Sequence, residues 1–570
     1  MTKRSSRKLI YCLVAIVAFL ALAPTLLNGF VNWDDPQAVL RNPFIRDFSI
    51  AGAGRLFAAF PGNYYAPLVF LSYSVDYFFF RLNPFPYHFA DILLHALNSL
   101  LALALVFSLA RDFRLAAAAA LIFAAHPLHV ESVAWVTERK DLLYSFFFLA
   151  ALLLYRRGSE PGSFSRVSLA ASLLCFACSL LSKPSAVILP AVLLIGVGWR
   201  QNQRMRIVLT RLIPYFALAA LYLLLMWRCW PGAKGVIRGN YRAPATYYLA
   251  LGTRNIVLYF WKIVFPVNLS AFYPLPPLNN LFAPAWIIPA IALMTLITVI
   301  VRFRRFHPLS AGAIFYLIAL LPVLQWIPSG NAAAADRFAY LPLLGIAVAG
   351  AGVGGAAARA NGGALRTYLH RACFAAILVL FGLGAACRCR VWRDGETLWS
   401  SVIRRYPESP EGHLHLASFH LENGNPKQAL EEAKRTLAID PGLVKAHVDR
   451  AEALRLLGRR EEAIAGLLRA TRIFPNEAKP HTNLGFIYGV AGRLPEARAA
   501  LLRSLALDPG GAEAYNNLGI VQELAGEWAA AERSYRAALG FDPLLSEARL
   551  NLLRVGEKMR RQGEATFPGW

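Results

Sequence analysis

The stretch FVNWDDPQAVLRN (Phe30–Asn42) follows an apolar run at residues 9–29, and the chain then stays largely apolar to about residue 390. Two adjacent carboxylates, Asp34 and Asp35, thus stand at a lipid boundary. Ionisable groups are costly there unless they have partners or work to do. The reading that follows is a loop carrying chemistry, flanked by helices that cross a bilayer. Composition agrees. Of 570 residues 57% are hydrophobic and 16% charged, too apolar for a soluble chain of this length. Lysine plus arginine exceed acidic residues by 59 − 34 = 25. That excess lies in short clusters between apolar runs, where membrane topology accounts for it better than nucleic acid does. No nucleic-acid partner is expected.

A span needs about 20 apolar residues. Besides residues 9–29, candidates fall near 88–110, 115–135, 139–155, 167–182, 184–199, 208–227, 284–301, 309–327, 337–357 and 372–388. Basic clusters mark alternate loops: Arg111/Arg114, Arg156/Arg157/Arg166, Arg200/Arg204/Arg206/Arg211, Arg302/Arg304/Arg305 and Arg359/Arg366/Arg371. All fall on the side of Met1–Lys8. Basic loops stay cytoplasmic, so about eleven spans place the N-terminus inside and the C-terminal part outside. The first run is expected to be a retained helix; the alternative is a signal peptide cleaved near Ala21-Leu22-Ala23. Residues 245–266 are apolar enough to cross, but a crossing there reverses the basic loops. A helix lying on or dipping into the membrane is expected instead.

The seven cysteines are scattered. Cys12, Cys175, Cys178 and Cys373 lie in apolar runs, and Cys387 and Cys389 flank Arg388, so no disulfide framework is expected. From residue 410 the pattern changes. Pro407, Pro441, Pro475, Pro509 and Pro543 recur every 34 residues, as do Gly424, Gly458, Gly492 and Gly526, and Ala429, Ala463, Ala497 and Ala531. With small residues at Ala417, Ala451, Gly485 and Gly519, this period resembles the tetratricopeptide repeat, an α-solenoid with a concave groove. The expected organisation is a polytopic all-α membrane domain over 1–390, a linker at 391–409, four repeats over 410–543, and a capping helix and tail at 544–570.

Several groups are candidates for chemistry. Asp35, followed by Pro36, fits a helix N-cap, whereas Asp34 has no such role and suits a general base toward an alcohol. An ion pair of Asp34 with Arg41 is the plain alternative. His126-Pro-Leu-His129, with Glu131, invites a metal reading, but Pro127 spoils the spacing and no further ligand is evident. A divalent cation stays open and no cofactor is assigned. Arg139, Lys183 and Arg337 are cations on the side that basic residues avoid. They suit a phosphate whose lipid tail lies in the membrane, or, more plainly, they snorkel to lipid headgroups.

The order of motifs resembles the transmembrane and tetratricopeptide-repeat (TMTC-like) O-mannosyltransferases and their bacterial relatives, within the polytopic GT-C glycosyltransferases. The matching residues are Trp33-Asp-Asp35 with Arg41-Asn42, Tyr65-Ala-Pro-Leu68, Tyr87-His88, Leu94-His-Ala-Leu-Asn98, His126-Pro-Leu-His129, Arg139-Lys-Asp-Leu142, Ser182-Lys183, Asp336-Arg-Phe-Ala-Tyr340, Trp392 and the repeats. At Ala66 the family often has arginine, so one contact to phosphate or acceptor is missing. The resemblance implies transfer of a sugar from a polyprenyl-phosphate donor to a hydroxyl on the external face, with the first-loop acids Asp34 and Asp35 at the reacting groups. On this reading Arg139, Lys183 and Arg337 hold the donor phosphate, and Arg41, His126 and His129 support the site. The repeats recruit a protein or peptide acceptor. The expected location is the bacterial inner membrane, in contact with its lipid, with the repeats in the periplasm. Two rivals remain at this point. One is a membrane-anchored repeat scaffold without catalysis; the other is an O-antigen ligase or polymerase, kept open by Arg238 and Arg242.

Overall fold

A computed structural model describes residues 3–58, 64–159, 164–194, 205–229, 243–277, 283–326, 330–360 and 364–561. Two compact units emerge, Met1–Ser401 and Val402–Trp570.

In the first unit, polar caps and prolines decide where apolar helices begin. Asn83 accepts a hydrogen bond from the Phe85 amide (3.2 Å), with Pro84 next to it, opening the Pro84–Ala110 helix. Asp112 accepts from the amides of Arg114 (2.9 Å) and Leu115 (3.1 Å), opening Phe113–Ala125. Each satisfies donors that a helix start leaves orphaned. Among the described residues six helices are long and apolar enough to cross a bilayer: Arg7–Leu27, Pro84–Ala110, Arg206–Arg228, Pro284–Arg302, Pro342–Arg359 and Leu365–Trp392. A seventh exists only if Phe113–Ala125 and Pro127–Ala134, bent by 50°, count as one broken span.

Other expected spans are shorter or interrupted. Those at 167–182 and 309–327 fall on helices of 15 and 14 residues, Arg166–Leu180 and His307–Leu320. That at 139–155 is the 20-residue helix Arg139–Gly158, which carries Arg139, Lys140 and Asp141 at its start. The 184–199 candidate opens on two short turns, Pro184–Ile188 and Leu189–Val192, and continues beyond the described residues. Proline removes an amide donor and breaks a helix that hydropathy alone would continue. Residues 245–266 form one helix, Ala245–Val264, with Leu251, Asn255 and Tyr259 on its buried side. Asn255 donates to the Ala333 carbonyl (2.7 Å), in a strand Ala332–Ala334 that pairs antiparallel with Tyr273–Pro274. This short β-pair has no counterpart in the sequence reading.

Small residues set the closest helix approach. A methyl group on Gly345 would meet the Gly312 carbonyl oxygen at 2.3 Å, and one on Gly312 would meet that of Gly345 at 2.3 Å. Glycine lets these backbones touch, as packing in lipid favours.

The second unit is four helix pairs: Pro410–Glu422 with Pro426–Ile439, Val444–Leu456 with Arg460–Ile473, Ala478–Val490 with Leu494–Leu507, and Ala512–Leu524 with Trp528–Phe541. The helix Ser546–Arg561 follows. The periodic glycines 424, 458, 492 and 526 take φ between +72° and +79°, a left-handed turn that only glycine adopts at no cost. Ala429, Ala463, Ala497 and Ala531 are fully buried. A side chain on Gly519 would strike the Tyr535 ring at 2.6 Å. The 34-residue period is thus the footprint of one packing geometry repeated.

Candidate functional site

The site begins with Asp35. Its carboxylate accepts from the Val31 amide (2.9 Å), the Thr137 amide (3.1 Å) and the Thr137 hydroxyl (2.5 Å). Asp35 precedes the helical turn Pro36–Leu40 but makes no side-chain cap bond to it. Its side chain turns back to clamp loop 30–42 onto residues 136–138, so the capping role expected for it is not the one it has. Burial pushes its carboxyl up to about 6, against the hydrogen bonds that lower it.

That clamp sets Asp34 beside the turn Val136–Glu138 and the residues after it. The Asp34 carboxyl is also raised, first by burial; Lys140 and Arg337 pull it down and Glu138 pushes it up. Glu138 is the hub of the cluster. It meets Lys140 Nζ at 2.9 Å, Arg337 Nε at 3.2 Å and Lys183 Nζ at 3.9 Å. Burial alone would raise Glu138, but these cations hold it at about 2, well below the ordinary carboxylate range. Arg337 also pairs with Glu131 at 2.5 Å, and Lys183 with Asp141. Aromatic faces line the cations. Lys140 lies 4.9 Å from the Tyr64 ring centre; Arg337 lies 5.2 Å from Trp135 and 4.9 Å from Phe338. Trp33 stacks on Trp135 at 4.4 Å, and Trp135 on Trp392 at 5.5 Å.

The segment carrying Arg337 is anchored from below. Asn98 donates to the Tyr340 hydroxyl (3.0 Å), which faces His95 Nδ1 at 2.9 Å. His129 Nε2 lies 3.2 Å from the Tyr340 carbonyl. His126 is engaged at both nitrogens, by the Leu128 amide and the Ile263 carbonyl. Both histidines thus contact backbone, His126 through both ring nitrogens and His129 through Nε2, and residues 126–139 are buried throughout. Among the described residues no group of three or more His, Cys, Asp and Glu has the placement to hold a metal ion.

Lys183 and Arg337 thus join Asp34 in one cluster, with Lys140 added. Arg139 does not. Its guanidinium meets Asp91 at 2.6 Å and Asp76 at 2.5 Å, and donates to the Tyr87 carbonyl (2.9 Å) and the Ser72 hydroxyl (3.2 Å). Its side chain is 1% exposed. With four of its five N–H donors engaged this deep, it ties three helices together rather than facing the Asp34 cluster. Arg41 is exposed at the end of the Pro36–Leu40 turn, its amide donating to the Pro36 carbonyl (2.7 Å). Sequence reasoning weighed Glu131 as a metal candidate and gave Glu138 and Asp141 no role as partners of these cations; the pair Asp76 and Asp91 it missed. The available signal was a carboxylate inside an apolar stretch, which demands a nearby cation. Arg238 and Arg242, on which the ligase reading rests, lie outside the described residues.

In the repeat unit, His413 sits 2.5 Å from Glu432 and 3.0 Å from the Pro407 carbonyl, and Asn516 accepts from Asn551 (3.0 Å). These groups brace the solenoid internally.

Tetratricopeptide-repeat family models match residues 390–444, 420–482 and 484–545. The chain is 24% identical over 450 residues to the protein O-mannosyl-transferase F38B6.6 of Caenorhabditis elegans, covering 75% of this chain and 62% of that protein. It is 31% identical over 208 residues to human protein O-mannosyl-transferase TMTC1, covering 32% of this chain and 23% of that protein. Human TMTC3 is 40% identical over 97 residues, 17% of this chain and 10% of that protein. The chain thus spans less than two thirds of the length of these relatives. Among solved structures, the TPR protein TTC0263 of Thermus thermophilus covers 31% of this chain at 25% identity, with a TM-score of 0.27.

Proposed function

The chain is a relative of the TMTC-type protein O-mannosyl-transferases, with tetratricopeptide repeats, and from that kinship we propose that it is an integral-membrane glycosyltransferase. It moves a sugar, mannose by kinship, from a polyprenyl-phosphate donor to hydroxyl groups of exported proteins, and the repeats bring the acceptor. The observation that carries this reading is a half-buried Asp34 set among Lys140, Lys183 and Arg337.

The acceptor oxygen attacks the anomeric carbon while Asp34 takes its proton. The bond from that carbon to the phosphate oxygen breaks, and the polyprenyl phosphate leaves with the electron pair, so the reaction inverts the anomeric centre. Negative charge grows on the phosphate, and Arg337 and Lys183 stabilise it with preorganised donors. Glu131, Glu138 and Asp141 keep these cations in place when no phosphate is bound. Asp35 orients the loop through Thr137. The distribution of basic loops supports a cytoplasmic N-terminus, with the site and the repeats on the outer side; the membrane proposed is a bacterial inner membrane.

The test is mass spectrometry of exported proteins and glycolipids from cells carrying wild-type protein or Asp34→Asn. Loss of one sugar modification in the variant is expected. An unchanged glycan profile would overturn the enzyme reading and leave a repeat scaffold held in the membrane.

A further inference from the structure

A large cavity of the membrane unit lies away from Asp34. It has a volume of about 1000 Å³ and runs between helices Phe113–Ala125, Pro342–Ala360 and Ala364–Cys389, reaching Ile263 and Val264. Its two ends differ. Arg114, Arg359, Arg366 and Arg371 gather at one end, against a single carboxylate, Asp112, whose contact with Arg359 is 3.8 Å. Thr367 and His370 stand at that end too, and the wall beyond is mostly apolar or bare backbone, including Gly350, Gly354, Ile377 and Phe381. Methyl groups built on Gly350 and Gly354 meet nothing within 4 Å, so these glycines leave space rather than close a helix contact. The Ala364–Cys389 helix rises about 22 Å from Arg366 to Phe381. That exceeds the roughly 15 Å of one leaflet's hydrocarbon. A cationic mouth over a long apolar groove is complementary to an amphiphile with an anionic head.

We propose that this groove is a binding site for an anionic glycerophospholipid of the bilayer, its phosphate at Arg366 and Arg371 and its acyl chains against Gly350, Gly354, Ile377 and Phe381. The mouth lies among the basic loops, away from the cluster around Asp34, so the head group bound here is not the one whose bond to sugar breaks. The bound lipid fills the space beside a helix that otherwise has little packed against it; 11% of its most apolar window is buried. The far end of that helix supports the reactive loop. Phe381 rests on the His126 ring at 4.6 Å, Asn28 donates to the Cys389 carbonyl (3.0 Å), and the Gly29 amide donates to that of Arg393 (2.8 Å). The lipid therefore stabilises the helix from which residues 28–42 hang.

The test uses the full chain purified in a neutral detergent. Phosphatidylglycerol, phosphatidylcholine, undecaprenyl phosphate and inorganic phosphate are each titrated while thermal unfolding is followed, and native mass spectrometry reports retained lipid. Phosphatidylglycerol should raise the melting temperature by several degrees and be retained over phosphatidylcholine. Arg366→Gln with Arg371→Gln should raise its half-saturating concentration at least tenfold. Gly354→Leu, which puts a side chain into the groove, should abolish retention in a folded protein. An equal response to phosphatidylcholine would sink the proposal, as would an equal response to inorganic phosphate. Stronger retention of undecaprenyl phosphate would replace it with a donor-lipid site. Should the double variant not fold, the lipid competition on wild-type protein decides alone.

Discussion

Asp34 and Asp35 are neighbours with opposite duties, and environment separates them. Asp35 is enclosed by three donors, Asp34 by cations that also serve Glu138. On the proposed reading Asp34 is the base and must be ionised, so activity should climb with pH through a range above that of an ordinary carboxylate. Lys140 lowers the Asp34 value, and removing it raises that value further. In Lys140→Ala the rising limb of the pH–rate profile should therefore move to higher pH; a limb that stays or moves down would separate Asp34 from the titration. Asp35 makes a stability prediction. The Thr137 hydroxyl favours its ionised form, and such a bond contributes about 1.5–3 kcal/mol. Thr137→Val should lower stability by that amount well above pH 6, where Asp35 is charged in both proteins. The loss should shrink as pH falls toward about 6, the variant's carboxyl taking its proton first, and should be gone below it, where both are protonated. Thermal unfolding on either side of that pH measures the difference.

Among elements, Arg139 shows why a cation's sequence position is a poor guide to its duty. It starts a helix one residue before Lys140, yet its partners Asp76 and Asp91 come from two other helices. Removing one side of a buried ion pair costs about 3–5 kcal/mol because the other charge is stranded. Arg139→Ala should therefore reduce the yield of folded protein, seen as loss of a monodisperse peak after solubilisation. Arg337 and Lys183 are 16% and 12% exposed, and Glu138 keeps Lys140. Arg337→Ala and Lys183→Ala should therefore lower that peak less than Arg139→Ala does, and in the folded fraction weaken donor use about tenfold or more each, the equivalent of a charge-assisted contact. Normal donor kinetics in both would return these residues to a structural duty. Where Gly312 and Gly345 touch, any side chain separates two helices, so Gly345→Val should destabilise the membrane unit in the same solubilisation assay.

For the whole molecule, orientation and the role of the repeats are the open predictions. Reporter fusions after residues 205, 305 and 400 should read inside, inside and outside; an inside reading at 400 would part the repeats from the Asp34 loop. Deleting 410–570 should spare the membrane unit, because solenoid stability is local to neighbouring repeats. Transfer to a full-length protein should then collapse while transfer to a short hydroxyl compound survives, since tethering raises the acceptor's effective concentration. Much of this architecture was legible in the chain. A 34-residue period needs no tertiary context, because each proline, glycine and alanine answers to contacts within one repeat or the next. Hydropathy likewise located the long apolar helices and the polar loop between them, since lipid imposes one requirement on every exposed residue. What only the tertiary structure decided is which charges meet. Glu138 gathers Lys140, Lys183 and Arg337 from three separate segments, while Arg139 is drawn to Asp76 and Asp91. In a low-dielectric interior a charge takes its role from its neighbours in space, and those neighbours lie up to two hundred residues away along the chain.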